Sequence, residues 1–299
     1  MGARTGGLAL SLLLGGCGAT LDDGEPGDFV AVEPSAPVVP DAAVPDLGPD
    51  AGPDAAPSDG GAGDGTPPDA AVVDLGGYLG TWAHVQIQQG LAILPVLGAE
   101  PTTTYGVMHM AAEAGAAPGT LALTFTLCEV RIERERDVVV TEIPQTFIDA
   151  LPPVDRSATV HDGTFVAERF VELRAVELEN PADDPLPTEP DDPRVVDLDD
   201  DGQPGLTARV SGLVDGEVYL VQRAITRLEG GLDGQGRLDG LLAWTAEESI
   251  LAADDPLLVM GAPFEADADP TRSVFRSTRL DEDRDCAWIV ENQAALFMR

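Results

Sequence analysis

Along residues 77–299, apolar and polar residues alternate in short runs that are separated by turns rich in Gly, Pro and Asp. Alternation with a period of two is typical of strands with one buried face. The pattern predicts strands at Thr81–Gln88, Thr102–Met110, Leu121–Glu133, Val138–Ile143, Phe165–Leu178, Leu206–Leu213, Val218–Arg227 and Leu241–Leu251. Roughly eight short strands of this kind favour a single all-β domain, either an antiparallel β-sandwich or a β-barrel.

One predicted strand changes phase in its middle. Its apolar residues are odd-numbered from Leu121 to Leu127 and even-numbered in Cys128-x-Val130-x-Ile132. Because side chains alternate between the two faces of a strand, such a switch predicts a β-bulge or a strand that leaves one sheet for another.

Two connections carry local signals. The last two predicted strands flank a Gly-rich segment at 230–236, which favours an antiparallel hairpin. A single helical turn is expected at Pro144–Leu151, and Pro152-Pro153 would end it.

The first strand opens with Gly80-Thr81-Trp82. This resembles the Gly-x-Trp start of lipocalin-like and avidin-like barrels, a resemblance that covers three residues and implies a barrel. The alternative is that Trp82 is simply a core residue at the start of a strand.

The N-terminus has the pattern of a signal peptide. Arg4 precedes the apolar run Leu8–Leu14, which is too short to span a membrane and is followed by Gly15-Gly16-Cys17. Leu14-Gly15-Gly16-Cys17 resembles the bacterial lipobox, in which the signal is removed and the Cys is acylated. The resemblance implies a signal peptide at 1–16, lipidation of Cys17 and anchoring in the membrane. Gly18 favours the outer membrane.

Residues 17–76 are expected to form a tether. From Ala19 to Gly76 the segment has 13 acidic residues, no basic residue, one aromatic and recurring Pro-Asp pairs. Such a composition buries too little apolar area to offset its ordering entropy. We therefore expect a disordered acidic stalk that holds the β domain, residues 77–299, away from the membrane.

The charge of the chain excludes several classes of function. There are 53 acidic residues, and all 17 basic residues are Arg, so the formal net charge is −36. The absence of Lys excludes a P-loop and Schiff-base chemistry. The net charge argues against nucleic acid as a partner, since nucleic-acid binding depends on clustered basic residues.

Cys128 and Cys286 remain once Cys17 is assigned to the lipid anchor. In an oxidising compartment they are expected to form a disulfide. The alternative is two separate buried thiols.

An acidic loop offers a candidate metal site. Asp197, Asp199 and Asp201 alternate before Gly202, which resembles the Asp-x-Asp-x-Asp-Gly loops that bind calcium. The resemblance implies that the three carboxylates bind calcium, with a backbone carbonyl from Gln203. The twelfth position, where EF-hands place a Glu, is Ala208, so a closing carboxylate would have to come from elsewhere. The candidates are Glu217, Asp191 and Asp192; the alternative is a solvated acidic turn.

The surrounding stretch, Glu179–Gly205, contains ten acidic residues, six Pro and one Arg. Two interpretations remain open from the sequence. The stretch is either a surface for multivalent cations or an unstructured insertion.

No catalytic motif is present in the sequence. His84, His109 and His161 do not lie in a zinc-binding motif, and Gly-x-Ser-x-Gly is absent. The layout resembles that of envelope lipoproteins from high-GC Gram-negative bacteria. We therefore expect an extracytoplasmic lipoprotein of the cell envelope, whose β domain binds a protein or ligand or has a structural role. The alternative is an extracytoplasmic hydrolase with a pair of carboxylates, as in glycosidases, and an acidic pair in an aromatic-lined cleft would favour it.

Overall fold

The computed structural model of the protein describes residues 74–94, 98–136, 139–212, 214–259 and 264–297. The expected signal peptide at 1–16, Cys17 and the tether up to residue 73 lie outside the described residues. The strands are β1 Gly80–Leu94, β2 Gly98–Ala114, β3 Thr120–Arg134, β4 Val139–Glu142, β5 Val154–His161, β6 Thr164–Arg174, β7 Leu206–Gly212, β8 Gly216–Leu232, β9 Leu238–Ala253, β10 Phe264–Ala266 and β11 Val274–Arg279. The helices are α1 Gln145–Ala150 and α2 Cys286–Phe297.

Eight of these strands close into a barrel. Its order is β1-β2-β3-β5-β6-β8-β9-β11, every neighbouring pair is antiparallel, and β11 pairs with β1 to complete the ring. The remaining three strands extend the sheet outside this ring, with β7 beside β8, β4 beside β7, and β10 beside β1. The all-β prediction is confirmed, and of the two predicted architectures the closed ring is the barrel.

The predicted change of phase in β3 is a β-bulge. Val107 of β2 pairs with Glu129, whereas the next residue, Met108, pairs with Leu127. Cys128 is therefore the extra residue, and both Leu127 and Val130 face the barrel interior. The sequence pattern predicted that Cys128 and Val130 lie on the same face of β3, and this is wrong. Cys128 lies on the outer face, where it packs with residues that α2 covers.

One half of the barrel is filled by side chains. Trp82, Phe165 and Phe275 are fully buried there, together with Leu and Ala residues from six strands. The Trp82 indole donates a hydrogen bond to the carbonyl of Tyr78 (3.0 Å), and the Tyr78 hydroxyl donates one to the carbonyl of Gly163 (3.0 Å). The segment before β1 therefore closes this end of the barrel.

Helix α2 packs on the outer face of β1, β2 and β3 through Ile289 and Phe297. At its first residue, Cys286 is at disulfide distance from Cys128, with the Cα atoms 5.0 Å apart. This is the predicted cysteine pair, and its Cα separation lies in the normal range for disulfides. Within the described part of the chain, no helix is long and apolar enough to cross a membrane.

Candidate functional site

The other half of the barrel encloses a cavity. About 180 Å³ of its volume is open to the centres of water molecules, and its walls come from the inward-facing residues of ten strands and from α1. Phe147 of α1 and Leu151, the residue that follows α1, also line the cavity. β3 pairs with β5 only over Thr120–Phe125. Beyond Phe125, no described strand pairs with this edge of β3, and α1 contacts β3 instead.

Much of the cavity wall is apolar. Four phenylalanines contribute to it, Phe125, Phe147, Phe170 and Phe264, along with aliphatic side chains of β3 and β8. A mostly apolar wall with a few polar groups is typical of small-molecule sites.

A row of polar side chains crosses three neighbouring strands on the inner face. Arg174 of β6 lies opposite Gln222 of β8, and Gln222 lies opposite Glu248 of β9. Arg174 donates to the Gln222 amide oxygen (2.6 Å), and the Gln222 amide nitrogen donates to the Glu248 carboxylate. Arg174 also forms an ion pair with Glu172 (2.7 Å). The register of the strands thus creates a connected row of hydrogen bonds.

Burial changes the ionisation of Glu248. Desolvation raises the pKa of its carboxyl, while the hydrogen bond from Gln222 and the positive charges of Arg174 and Arg134 act in the opposite direction. The net effect is a carboxyl that is protonated more readily than one in water.

Two further arginines line the cavity, one on each side of this row. Arg156 of β5 donates to the Thr226 hydroxyl (3.1 Å) and to the carbonyls of Ala167 (3.1 Å) and Glu168 (2.7 Å). Arg134 of β3 donates to the carbonyl of Val139 (2.7 Å) and approaches the Thr141 hydroxyl (3.4 Å).

Burial also acts on these two guanidinium groups. It lowers the pKa of Arg156 to about 10, with the negative charge of Glu172 as a smaller opposing influence. Burial likewise lowers the pKa of Arg134, and two carboxylates oppose that shift, Glu100 and Glu248. Both side chains remain cationic at neutral pH.

His84 is almost completely buried and contacts two residues of the cavity wall, Gln86 and Phe125. Its Nδ1 is 2.8 Å from the Ser277 hydroxyl, and its Nε2 is 3.4 Å from the Gln86 amide. Burial, aided by the positive charge of Arg156, lowers the pKa of His84 to about 3, so the ring is neutral. The other two histidines lie elsewhere: His109 is on β2 next to Asp283, and His161 is exposed at the end of β5.

The acidic loop brings its three predicted carboxylates together. One oxygen from each of Asp197, Asp199 and Asp201 lies within 4.8 Å of the others, so the cluster could hold a metal ion. Gly202 and Asp200 have positive φ angles (82° and 54°), which bend the chain back on itself here.

Hydrogen bonds within the turn account for part of this geometry. Asp197 accepts from the backbone of Gly202 (3.0 Å), and Asp201 accepts from the Thr207 hydroxyl (2.6 Å). Oδ1 of Asp199 is buried and has no hydrogen-bond partner among the described residues. Desolvation raises the pKa of Asp199, and the negative charges of Asp201 and Asp197 add to the rise.

The other predicted ligands have different roles. The backbone N–H of Gln203 donates to Asp201 (2.8 Å), which helps to form the turn. Of the candidate closing carboxylates, Glu217 pairs with Arg209 (3.2 Å) and Asp192 pairs with Arg194 (2.8 Å). The three-carboxylate cluster includes neither of these side chains, nor Asp191.

The acidic stretch at Glu179–Gly205 packs on the outside of the barrel. Leu186 is buried with Val221 and Leu251, and Arg223 of β8 donates to the carbonyls of Pro181 (3.2 Å) and Asp184 (2.7 Å). Of the two interpretations of this stretch, the unstructured insertion is wrong, because the stretch has its own apolar contacts and hydrogen bonds.

Sequence reasoning missed the residues that line the cavity. A signal for them does exist, because Glu172, Arg174, Gln222 and Glu248 occupy inward positions where apolar residues would be expected in a filled core. Polar residues at the inner positions of a closed barrel indicate an internal cavity.

Comparisons of the chain with protein-family models, with curated proteins and with solved structures give no match.

Proposed function

We propose that the β domain binds a small amphiphilic molecule inside its barrel. The observation that carries this proposal is the cavity in the closed ring of eight strands, with four phenylalanines and a few charged side chains on its wall. Barrels of eight strands are just wide enough to hold one small ligand.

The size of the cavity supports the proposal. At about 180 Å³ the cavity is slightly larger than an engineered apolar cavity of about 150 Å³ that binds benzene. It is smaller than the pockets of drug-sized ligands, ~300–1,000 Å³, so the ligand is expected to be small.

A neutral fluorescent dye tests the proposal. N-phenyl-1-naphthylamine emits more strongly in apolar surroundings, and we expect saturable binding to the full chain carrying Cys17→Ala, which keeps lipid out of the assay. Ala246 lines the cavity, whereas Ala243 is exposed on the same strand. Ala246→Phe should weaken dye binding at least about tenfold, and Ala243→Phe should leave it unchanged.

The comparison of the two variants decides the result. Equal binding by Ala246→Phe and Ala243→Phe would place the dye elsewhere and overturn the proposal. Ala224, which lies opposite Ala246 and also lines the cavity, offers Ala224→Phe as a second variant if Ala246→Phe does not fold.

We further propose that the domain is held in the cell envelope by lipid on Cys17, on the basis of the N-terminal sequence pattern, and that the outer membrane is the site. Cys17→Ala should convert a protein that partitions into detergent into an uncleaved or soluble form. Partitioning that the substitution leaves unchanged would contradict the anchor.

Calcium is the cation that we propose for the cluster of Asp197, Asp199 and Asp201. Carboxylate oxygens are suited to calcium, and a loop without a twelfth-position Glu is expected to bind weakly, at about 10⁻⁴–10⁻³ M. A cation would also offset the desolvation and the carboxylate repulsion that together raise the pKa of Asp199.

Thermal melts test the calcium site. Several millimolar calcium should raise the melting temperature above that in chelator or magnesium, because the folded state alone offers the site. Asp199→Ala with Asp201→Ala should abolish the rise. Glu189→Ala with Asp191→Ala removes the same charge from exposed positions and should preserve it. Equal melting temperatures in all three solutions would mean that the loop is only an acidic turn.

A hydrolase is the alternative function, and one observation favours it: Glu172 and Glu248 both line the aromatic cavity. However, Glu172 forms an ion pair with Arg174, and Glu248 accepts a hydrogen bond from Gln222. We therefore expect no release of 4-nitrophenol from aryl glycosides. Release that Glu248→Gln abolishes would establish the alternative instead.

A further inference from the structure

We propose that the ligand of the barrel is an anion, an apolar molecule with a carboxylate head group that Arg156 binds. This inference rests on the proposed function and specifies its ligand class. Arg156 donates hydrogen bonds to three partners, the hydroxyl of Thr226 and two backbone carbonyls. All three are neutral, so no hydrogen-bond acceptor of Arg156 carries a compensating charge.

The lack of an ion pair separates Arg156 from most arginines of this chain. Acidic residues outnumber basic ones by 53 to 17, and most arginines in the described part of the chain pair with a carboxylate. Arg156 makes no such pair with any described residue, although it lies inside the barrel. Arg156 is half-buried, and a charge that is partly removed from water is costly unless it is paired. The lowered pKa of Arg156 is a sign of that cost. A site that keeps such a charge is suited to an anionic ligand.

Arg134 is the other cavity arginine without an ion pair among the described residues, but its charge is better offset. Two carboxylates act on it, Glu100 and Glu248, whereas only Glu172 acts on Arg156. Glu172 is itself held by Arg174 at 2.7 Å. Arg156 is therefore the less compensated of the two, and we assign the head group to it.

The charges on the cavity wall indicate a single negative charge on the ligand. Three guanidinium groups, those of Arg134, Arg156 and Arg174, face two carboxylates, those of Glu172 and Glu248. This leaves one positive charge, because His84 is neutral. One carboxylate would neutralise the wall, and a guanidinium matches the geometry of a carboxylate.

The position of Arg156 also suits an amphiphile. Its guanidinium carbon lies 5.4 Å from the centre of the Phe170 ring, and Phe125 and Val154 line the same cavity. A head group at Arg156 would thus have apolar wall beside it for the rest of the molecule.

The test compares two competitors with the same number of carbon atoms, one with a carboxylate head group and one with a hydroxyl. Bound N-phenyl-1-naphthylamine is displaced with octanoate or with octanol, in the same full chain with Cys17→Ala. We expect octanoate to displace the dye at concentrations about ten- to a hundredfold lower than octanol, the range for a hydrogen-bonded charge. Arg156→Gln should make the two competitors equal and leave dye binding within about twofold.

A control variant and a conservative variant complete the experiment. Arg169 is exposed on β6, so Arg169→Gln removes the same charge outside the barrel and should keep the preference for octanoate. Arg156→Lys retains the charge without the paired N–H groups and should keep an intermediate preference.

The outcomes separate the two proposals. Failure of the dye to bind the cavity overturns the proposed function. Dye binding in which octanoate is no better than octanol overturns the anionic ligand alone, and this comparison needs no substitution in the barrel. A preference that survives Arg156→Gln removes Arg156 from the role.

Discussion

The link between Cys128 and Cys286 should supply a large part of the stability of the domain. The two residues are 158 positions apart, so the link closes most of the barrel sequence into one loop. In the chain-entropy description, a loop of this length lowers the entropy of the unfolded chain by an amount worth about 5 kcal/mol at 25 °C. Domains are commonly stable by only ~5–15 kcal/mol. Reduction should therefore lower the free energy of unfolding by several kcal/mol.

Urea unfolding of the full chain measures this effect, with the fluorescence of the buried Trp82 and Trp244 as the signal. Three samples are compared: the oxidised protein, the reduced protein, and the double variant Cys128→Ala with Cys286→Ala. Reduction isolates the loss of the covalent link, because the side chains remain. The double variant adds the loss of packing against Ile289. Equal unfolding midpoints for the oxidised and reduced protein would refute the reasoning.

Two further predictions concern the barrel interior. His84 has a folded-state pKa of about 3, below its unfolded value of about 6.5, so only the unfolded state takes up a proton as the pH falls through 6.5. The free energy of unfolding should fall by up to about 1.4 kcal/mol per pH unit between pH 6 and 5, measured by urea unfolding at a series of pH values. His84→Gln should remove that slope. His161→Gln, at an exposed site, should keep it. Gly230 and Gly240 face each other where β8 pairs with β9, and a Cβ on Gly240 would lie 2.1 Å from the carbonyl oxygen of Glu229. Gly240→Ala should lower the free energy of unfolding by about 1–3 kcal/mol in the same assay. Gly234→Ala, at a turn position with open space, should lower it far less. Equal losses would contradict the close packing of the two strands.

Local pattern was sufficient for much of the secondary structure. The alternation in β1, β2, β3, β8 and β9 reflects a contrast between an inner and an outer face, which is a property of neighbouring residues. The bulge at Cys128 and the helical turn at α1 were also predictable, because each is a local break in that pattern. The hairpin of β8 and β9 follows from the Gly-rich segment between them.

The alternation of apolar and polar residues did not predict the other elements. In β5 the inner face contains Arg156 between Val154 and Ala158, and in β11 it contains Ser277 after Phe275, so neither strand has a clear apolar face. Both strands acquire their positions from pairing across the barrel, β5 with β3 and β11 with β1. Helix α2 buries mainly Ile289 and Phe297, and these contacts exist only on a completed outer surface.

The all-β class, the acidic composition, the N-terminal pattern and the three carboxylates of the acidic loop could be read from the order of residues, because each depends on residues close together in the chain. The choice between sandwich and barrel required the folded chain, since closure depends on β11 pairing with β1, almost 200 residues apart. Closure also decided the candidate site. Arg156, Arg174, Gln222 and Glu248 come from four strands, and their side chains share one cavity only because the ring brings four inner faces together.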